Sequence, residues 1–486
     1  MRIMLAACAV FVVAAPLRAQ ERVDSDMIAR IKAEGLERSQ IMDLFNTLTN
    51  VIGPRLPASP QYRQAADWAR DRFTAWGLSN AHLEPFEFGR GWTLEKLTLE
   101  MTAPRYFPLI GYPEAWTPST DGVVEGTPVY VGDLDADGVR ALGDRLRGAI
   151  VLATEPQTEF WAEDRQQPAD VDGIRPGSPR GPRRATGPAV RLLQEAGAAA
   201  VLRPNTYKHG TIGVLGSRNT QNDAVPAVVM AVEHYNMLVR MTQAGVAPTL
   251  RVEVGSRYHE EDTNGYNIIA EIPGTDPAVR DEVVLIGAHI DSWHASSGAT
   301  DNADGSVGVM EAMRILKAVG AQPRRTIRVA LWDAEEQGLL GSRAHVQQHY
   351  EGDANAAARE KFYVYFNADP GTGPIYGFYL EDNAAIAPIF DAWLAPLRDL
   401  GAKRNVLEGI GSTDHVTFNR AGLPGYNAIN DYVDYDVRSR HTNTDFYERV
   451  REEDLKQSAI VLAVFAYHAA MREGPLPRVE PGQREP

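Results

Sequence analysis

The feature that most constrains this chain is an alternation of strands and helices between positions 283 and 369. Val283 to Ala288 is a short, unbroken apolar run, as expected for a parallel strand buried on both faces. A helix with apolar positions at Val309, Met313, Leu316 and Val319 follows it. Next come a strand from Thr326 to Trp332, a helix over about 342–350 and a strand from Phe362 to Phe366. This β-α-β-α-β order predicts an α/β fold: a doubly wound, mostly parallel sheet with helices on both faces.

Each of the three strands runs into residues that favour metals. The first leads to His289-Ile290-Asp291, the second to Asp333-Ala334-Glu335-Glu336 and the third to Asn367-Ala368-Asp369. The Gly-rich loop after the first strand carries Asp301-Asn302-Ala303-Asp304-Gly305, and a further imidazole stands in His441-Thr442-Asn443-Thr444-Asp445. In open α/β sheets ligands bind at the carboxyl ends of the strands, so these loops are expected to converge. Carboxylates crowded there repel one another unless a cation neutralises them. Histidine and carboxylate ligands without thiolate favour zinc or a similar divalent metal.

The set His289-x-Asp291, Gly298-Ala299-Thr300-Asp301-Asn302, Ala334-Glu335-Glu336-x-Gly338, Asp369 and His441 resembles the co-catalytic dizinc aminopeptidases and their carboxypeptidase Q relatives. The resemblance covers almost the whole chain beyond its first twenty residues. It implies two Zn2+ or similar ions, one held by His289 and Asp369, the other by Glu336 and His441, with Asp301 bridging them. Three carboxylates and one hydroxide balance two divalent cations, which suits a low-dielectric cleft. Glu335 would be the general base that takes a proton from water. Asp291 would orient the His289 ring. Where many family members place a Tyr before the last histidine, this chain has Arg440, with Arg438, Tyr435 and Tyr432 upstream. Arg440 is expected either to stabilise an oxyanion or to hold a substrate carboxylate, or else to face solvent, and Arg438 and Tyr435 are further candidates for substrate contact. Thr413-Asp414-His415 resembles a family segment near the site.

The function implied is a dizinc exopeptidase acting on peptides, with aminopeptidase as the first reading. A carboxypeptidase Q-like dipeptidase is the alternative, and a non-catalytic receptor-like module on the same fold the rival from another class. A glutaminyl cyclase-like transferase fits less well, because those relatives use one zinc.

The rest of the chain supplies organisation. Residues 24–76 read as helices and 92–101 as a strand. Residues 118–262, rich in short strands and Gly/Pro turns, resemble an inserted β-rich protease-associated domain. Its landmarks are Leu146-Arg147-Gly148-Ala149-Ile150-Val151-Leu152, Gly197-Ala198-Ala199-Ala200-Val201 and Val225-Pro226-Ala227. Within it, 157–188 is so rich in Pro, Gly, Arg and Asp that it reads as a long irregular loop. The expected division is therefore 1–19 signal peptide, 20–117 and 263–474 catalytic domain, 118–262 insert and 475–486 tail. Arg2 followed by the apolar run Ile3 to Ala15, with cleavage near Ala19, has the order of a secretory signal, so a secreted or periplasmic protein is expected. Cys8 is the only cysteine, which removes a disulfide scaffold or a Cys nucleophile from the mature chain. No later segment has 18 consecutive apolar residues, so no membrane span is expected. With 64 acidic and 49 basic residues, net charge -15, a broad basic face for nucleic acid is excluded. The expected partners are a peptide substrate and, optionally, a second copy of the chain.

Two motifs read as decoys. Asp133-Leu134-Asp135-Ala136-Asp137-Gly138, with Asp144 at the twelfth position, imitates a calcium loop but follows a strand and lacks the bidentate Glu. His345-Val346-Gln347-Gln348-His349 has zincin spacing without the Glu and reads as helix surface. His294 reads as an exposed loop histidine.

Overall fold

The computed structural model describes residues 21–171 and 181–479. The expected signal peptide, with Cys8 and the cleavage point, lies outside the described residues, as do 480–486 of the tail. The large sheet contains seven strands: β1 (Ser79–Glu87), β2 (Asn264–Ile272), β3 (Val283–His289), β4 (Thr326–Trp332), β5 (Phe362–Asn367), β6 (Gly377–Phe378) and β7 (Gly425–Ile429). Their spatial order is β1-β2-β4-β3-β5-β7-β6. β3 pairs in parallel with β4 on one side and β5 on the other, and β5 with β7. The remaining three pairs, β1/β2, β2/β4 and β6/β7, are antiparallel. The sheet is thus evenly mixed rather than mostly parallel. The parallel centre was visible in the continuous apolar strands; the antiparallel edges come from segments whose partners are distant in sequence.

Helices cover both faces. α1 (Ser25–Glu37), α2 (Pro60–Ala75), α3 (Asp304–Ala318) and α6 (Glu452–Met471) pack one large core with Val284, Ile286, Val329 and Val364 of the sheet. α4 (Leu340–His349) and α5 (His415–Arg420) close the other face, where Val346 and Phe418 meet Leu285, Trp332 and Tyr365. Local chemistry fixes the starts of these helices. Ser59 caps α2, accepting from the Tyr62 amide, with Pro60 in the first turn, where a missing N–H costs nothing. α6 opens with Glu452, Glu453 and Asp454, which complement the helix dipole.

Residues 91–259 build a second unit from two smaller sheets. One is four-stranded and centres on Gly91–Ala103 paired antiparallel with Thr249–His259; the other is five-stranded. Their common core includes Leu99, Met101, Leu202, Val228 and Val252. The chain enters this unit at Gly91, paired with His259, and not at the expected position 118. The reason is strand pairing: 91–103 and 249–259 form one ribbon that carries the chain out of the main sheet and back. The calcium-like segment is a helix start, in which Asp135 caps Ala136–Leu142 by accepting from the Gly138 amide.

Candidate active site

β4, β3 and β5 end side by side, and the helices that follow β3 and β4 cover opposite faces of the sheet. This is the point in an open sheet where a crevice forms. His289 is the last residue of β3, Glu335 and Glu336 follow β4, and Asp369 follows β5. His289 Nε2 lies 3.3 Å from Asp301 Oδ1 and 3.7 Å from Asp369 Oδ1. His441 Nε2 lies 3.3 Å from Asp301 Oδ2 and 2.9 Å from Glu336 Oε2. Two groups with metal-ligand geometry result, His289/Asp301/Asp369 and Asp301/Glu336/His441, and Asp301 belongs to both.

The electrostatics favour a cation. Asp291, Asp301, Glu336 and Asp369 are buried. Burial pushes the Glu335 and Glu336 carboxyls well above their ordinary range, and the neighbouring carboxylates add to this. His289 Nε2, Asp301 Oδ2 and Glu336 Oε1 are buried without a hydrogen-bond partner. Such orphaned atoms are costly in a dry interior, and all three belong to the two groups. The donor set of imidazole and carboxylate suits a divalent metal of the zinc class.

The supporting residues were only partly visible in the sequence. Asp291 is fully buried and accepts the Glu335 and Glu336 amides at 3.1 and 3.3 Å, so it fixes that turn. His289 Nδ1 faces its backbone oxygen at 3.1 Å and its carboxylate at 3.4 Å. Asp445, four residues beyond His441, carries no sequence signal of a role. It accepts the Thr300 and Asp301 amides at 2.8 and 3.2 Å, and burial pushes its carboxyl up to about 7. Arg55, fully buried, donates to the carbonyls of Gly53, Ile290, Ser297 and Gly298 and so ties the Asp301 loop to the end of β3. Trp293 Nε1 donates to Glu336 Oε2 at 2.8 Å. Asp414 is buried, and burial raises its carboxyl to about 7.

A cavity of about 590 Å³ exposes the assembly, lined by Asp301, Glu335, Glu336, Asp369, Tyr435, Arg440 and His441 among others. Arg440 therefore faces the cleft, and Tyr435 forms part of its wall with the Arg165 guanidinium 5.4 Å from its ring. Arg438 is not among the lining residues; its carbonyl accepts the Thr442 and Thr444 hydroxyls.

His441 is held differently from the strand-end residues. The segment 212–214 of the second unit pairs with 441–443: the Val214 amide donates to the His441 carbonyl at 3.0 Å, and the Asn443 amide to Ile212 at 3.0 Å. Upstream, Arg165 forms a buried ion pair with Asp436 at 2.7 Å. Asp164 accepts the Asp434 and Val437 amides at 2.8 and 3.0 Å. Both residues belong to the stretch read as an irregular loop, and they clamp the segment that leads into His441. His294, expected to be exposed, is half-buried and hydrogen-bonds the Pro113 carbonyl of the second unit at 2.8 Å.

Comparison with known proteins agrees with this geometry. Residues 267–466 match Peptidase family M28. Carboxypeptidase Q of Bos taurus is 24% identical over 459 residues, covering 93% of this chain and 89% of that protein. The Mus musculus carboxypeptidase Q is 26% identical over 457 residues, covering 93% and 90%. Among solved structures, a peptidase M28 precursor from Shewanella amazonensis SB2B superposes with a TM-score of 0.69 at 25% identity, covering 94% of this chain and 98% of that one. BSAP, a zinc aminopeptidase from Bacillus subtilis, shares the fold, with a TM-score of 0.58 at 19% identity over 89% and 95% of the two chains. With its ligand-like residues gathered at the strand ends, its 267–466 segment matching Peptidase family M28 and carboxypeptidase Q relatives aligned along most of its length, the chain is a metallopeptidase.

Proposed function

We propose that the protein is a two-metal exopeptidase that hydrolyses the terminal bond of short peptides. The observation that carries this is the pair of ligand groups joined through Asp301, with Glu335 in the wall of the same cavity. His289 and Asp369 would hold one zinc-class cation, Glu336 and His441 the other, and Asp301 would reach both. When bound, such cations acidify water and stabilise charge developing on the oxygen of a scissile carbonyl. Glu335 accepts the proton of the attacking water and returns it to the leaving amine. Burial raises its affinity for protons, as suits a group that must take a proton and pass it on. Asp291 holds the Glu335–Glu336 turn and the His289 ring in register. Residues 91–259 serve as a protease-associated insert that completes the cleft. The apolar run 3–15 would direct export.

Aminopeptidase activity is the first reading. A second, carboxypeptidase Q-like reading is favoured by one observation: Arg440 lines the cavity together with Asp301 and Glu336, where it could hold a substrate carboxylate. Digestion of a peptide library with end-group analysis separates the two readings. Glu335→Gln tests the mechanism. It keeps shape but removes the proton acceptor, and it should lower kcat at least about 10²-fold with metal content unchanged. Turnover at the parent rate would overturn the assignment.

A further inference from the structure

The motif His345-Val346-Gln347-Gln348-His349, read from sequence as helix surface, exposes Gln347 and Gln348 but turns its two histidines toward the sheet. His345 is 2% exposed, and both rings turn toward Glu84 of edge strand β1, itself 7% exposed. His345 Nδ1 lies 2.8 Å from Glu84 Oε1 and His349 Nε2 2.6 Å from Glu84 Oε2. The two rings stand 4.6 Å apart, centroid to centroid, as neighbours at i and i+4 on one helical face must. The ligand atoms all fall within 4.8 Å of one another. None of the three residues lines the catalytic cavity or belongs to either group there.

We propose that Glu84, His345 and His349 form a structural binding site for a zinc-class divalent cation, separate from the catalytic cleft. Two imidazoles and one carboxylate are a complete face of a tetrahedral zinc site. In a zincin helix the residue after the first histidine is the Glu that activates water; here that position is Val346, backed by Trp332, whose ring lies 5.1 Å from that of His345. The ligands are present and the base is missing, so the site braces and does not hydrolyse. The charge balance agrees. Glu84 is a buried carboxylate that meets both imidazoles and, at Oε1, the Asn267 side-chain amide at 3.2 Å; the nearby Arg328 is committed to Glu271 at 2.7 Å, so the carboxylate is available to offset the charge of a cation held by the two rings. His349, with 39% of its side chain exposed, leaves an entry path and room for a water as fourth ligand. The consequence is mechanical: the ion would staple β1 to α4, which begins at Leu340, four residues after Glu336.

The test measures zinc content after equilibrium dialysis in the parent, His349→Ala, Glu84→Gln and Asp301→Ala. His349→Ala and Glu84→Gln should each bind one equivalent fewer than the parent while keeping peptide hydrolysis within about twofold. Zinc should raise the Tm of the parent by about 2–4 °C more than it raises that of His349→Ala. In both the parent and Asp301→Ala, zinc should slow carbethoxylation of His349, mapped by mass spectrometry, at least tenfold. This last measurement needs no change at the proposed site and is independent of the catalytic reading. Equal zinc content in the parent and both site variants, or carbethoxylation of His349 at the same rate with and without zinc, would overturn the proposal.

Discussion

The residues nominated as ligands come from two kinds of place. His289, Glu336 and Asp369 sit at the ends of three adjacent parallel strands whose core positions are buried on both faces. His441 sits on a loop with a positive φ of 56°, fixed by a backbone bridge to residues 212–214 and by the Arg165–Asp436 pair. One part of the site is therefore a property of the main sheet alone, and the other exists only when the second unit is docked. A site built this way can lose one half while the fold of the other stands.

The largest effect should follow from Asp301→Ala, which removes the residue common to both halves. Loss of several kcal/mol of transition-state stabilisation corresponds to a fall in kcat of about 10³–10⁴-fold. Metal analysis should show reduced occupancy at both positions; retention of parental content and rate would dissolve the distinction between shared and separate ligands. Asp436→Asn breaks the comparison at its weaker side. It leaves the Arg165 guanidinium buried and without its anion, a change worth about 3–5 kcal/mol in buried pairs. Activity should fall about 10–100-fold, as for other residues that orient a ligand, and excess zinc should restore part of it. A variant as active as the parent at limiting zinc would show that the second unit does not hold His441.

The sequence made the rigid half legible and the docked half obscure, for a physical reason. Strand Thr326–Trp332 was read to the residue, and Val283 to Ala288 missed only its final His289, because burial on both faces writes a continuous apolar run. Arg165, Asp436 and Asn443 carry no such pattern. Their roles depend on partners some 230–270 positions away, and a polar loop reads as solvent-facing until those partners are known. The same blindness turned His345 and His349 into supposed surface residues, since Glu84 lies 261 and 265 positions from them. It also set the start of the second unit at 118, when pairing between 91–103 and 249–259 sets it at Gly91.

The smallest effect sharpens the comparison at the loop itself. If Arg440 holds a substrate carboxylate, amidating the C-terminus of a dipeptide should raise KM about tenfold in the parent and matter little in Arg440→Ala. Equal cleavage of acid and amide by the parent would leave Arg440 to stabilise the oxyanion or to stand aside.

The bridge between 212–214 and 441–443 also bears on how the enzyme comes into being. Chains emerge from the ribosome N-terminus first, and contacts between distant segments form late. Ile212 and Asn443 are 231 positions apart. His441 therefore joins the strand-end residues only after segments 212–214 and 441–443 have both been synthesised and have paired.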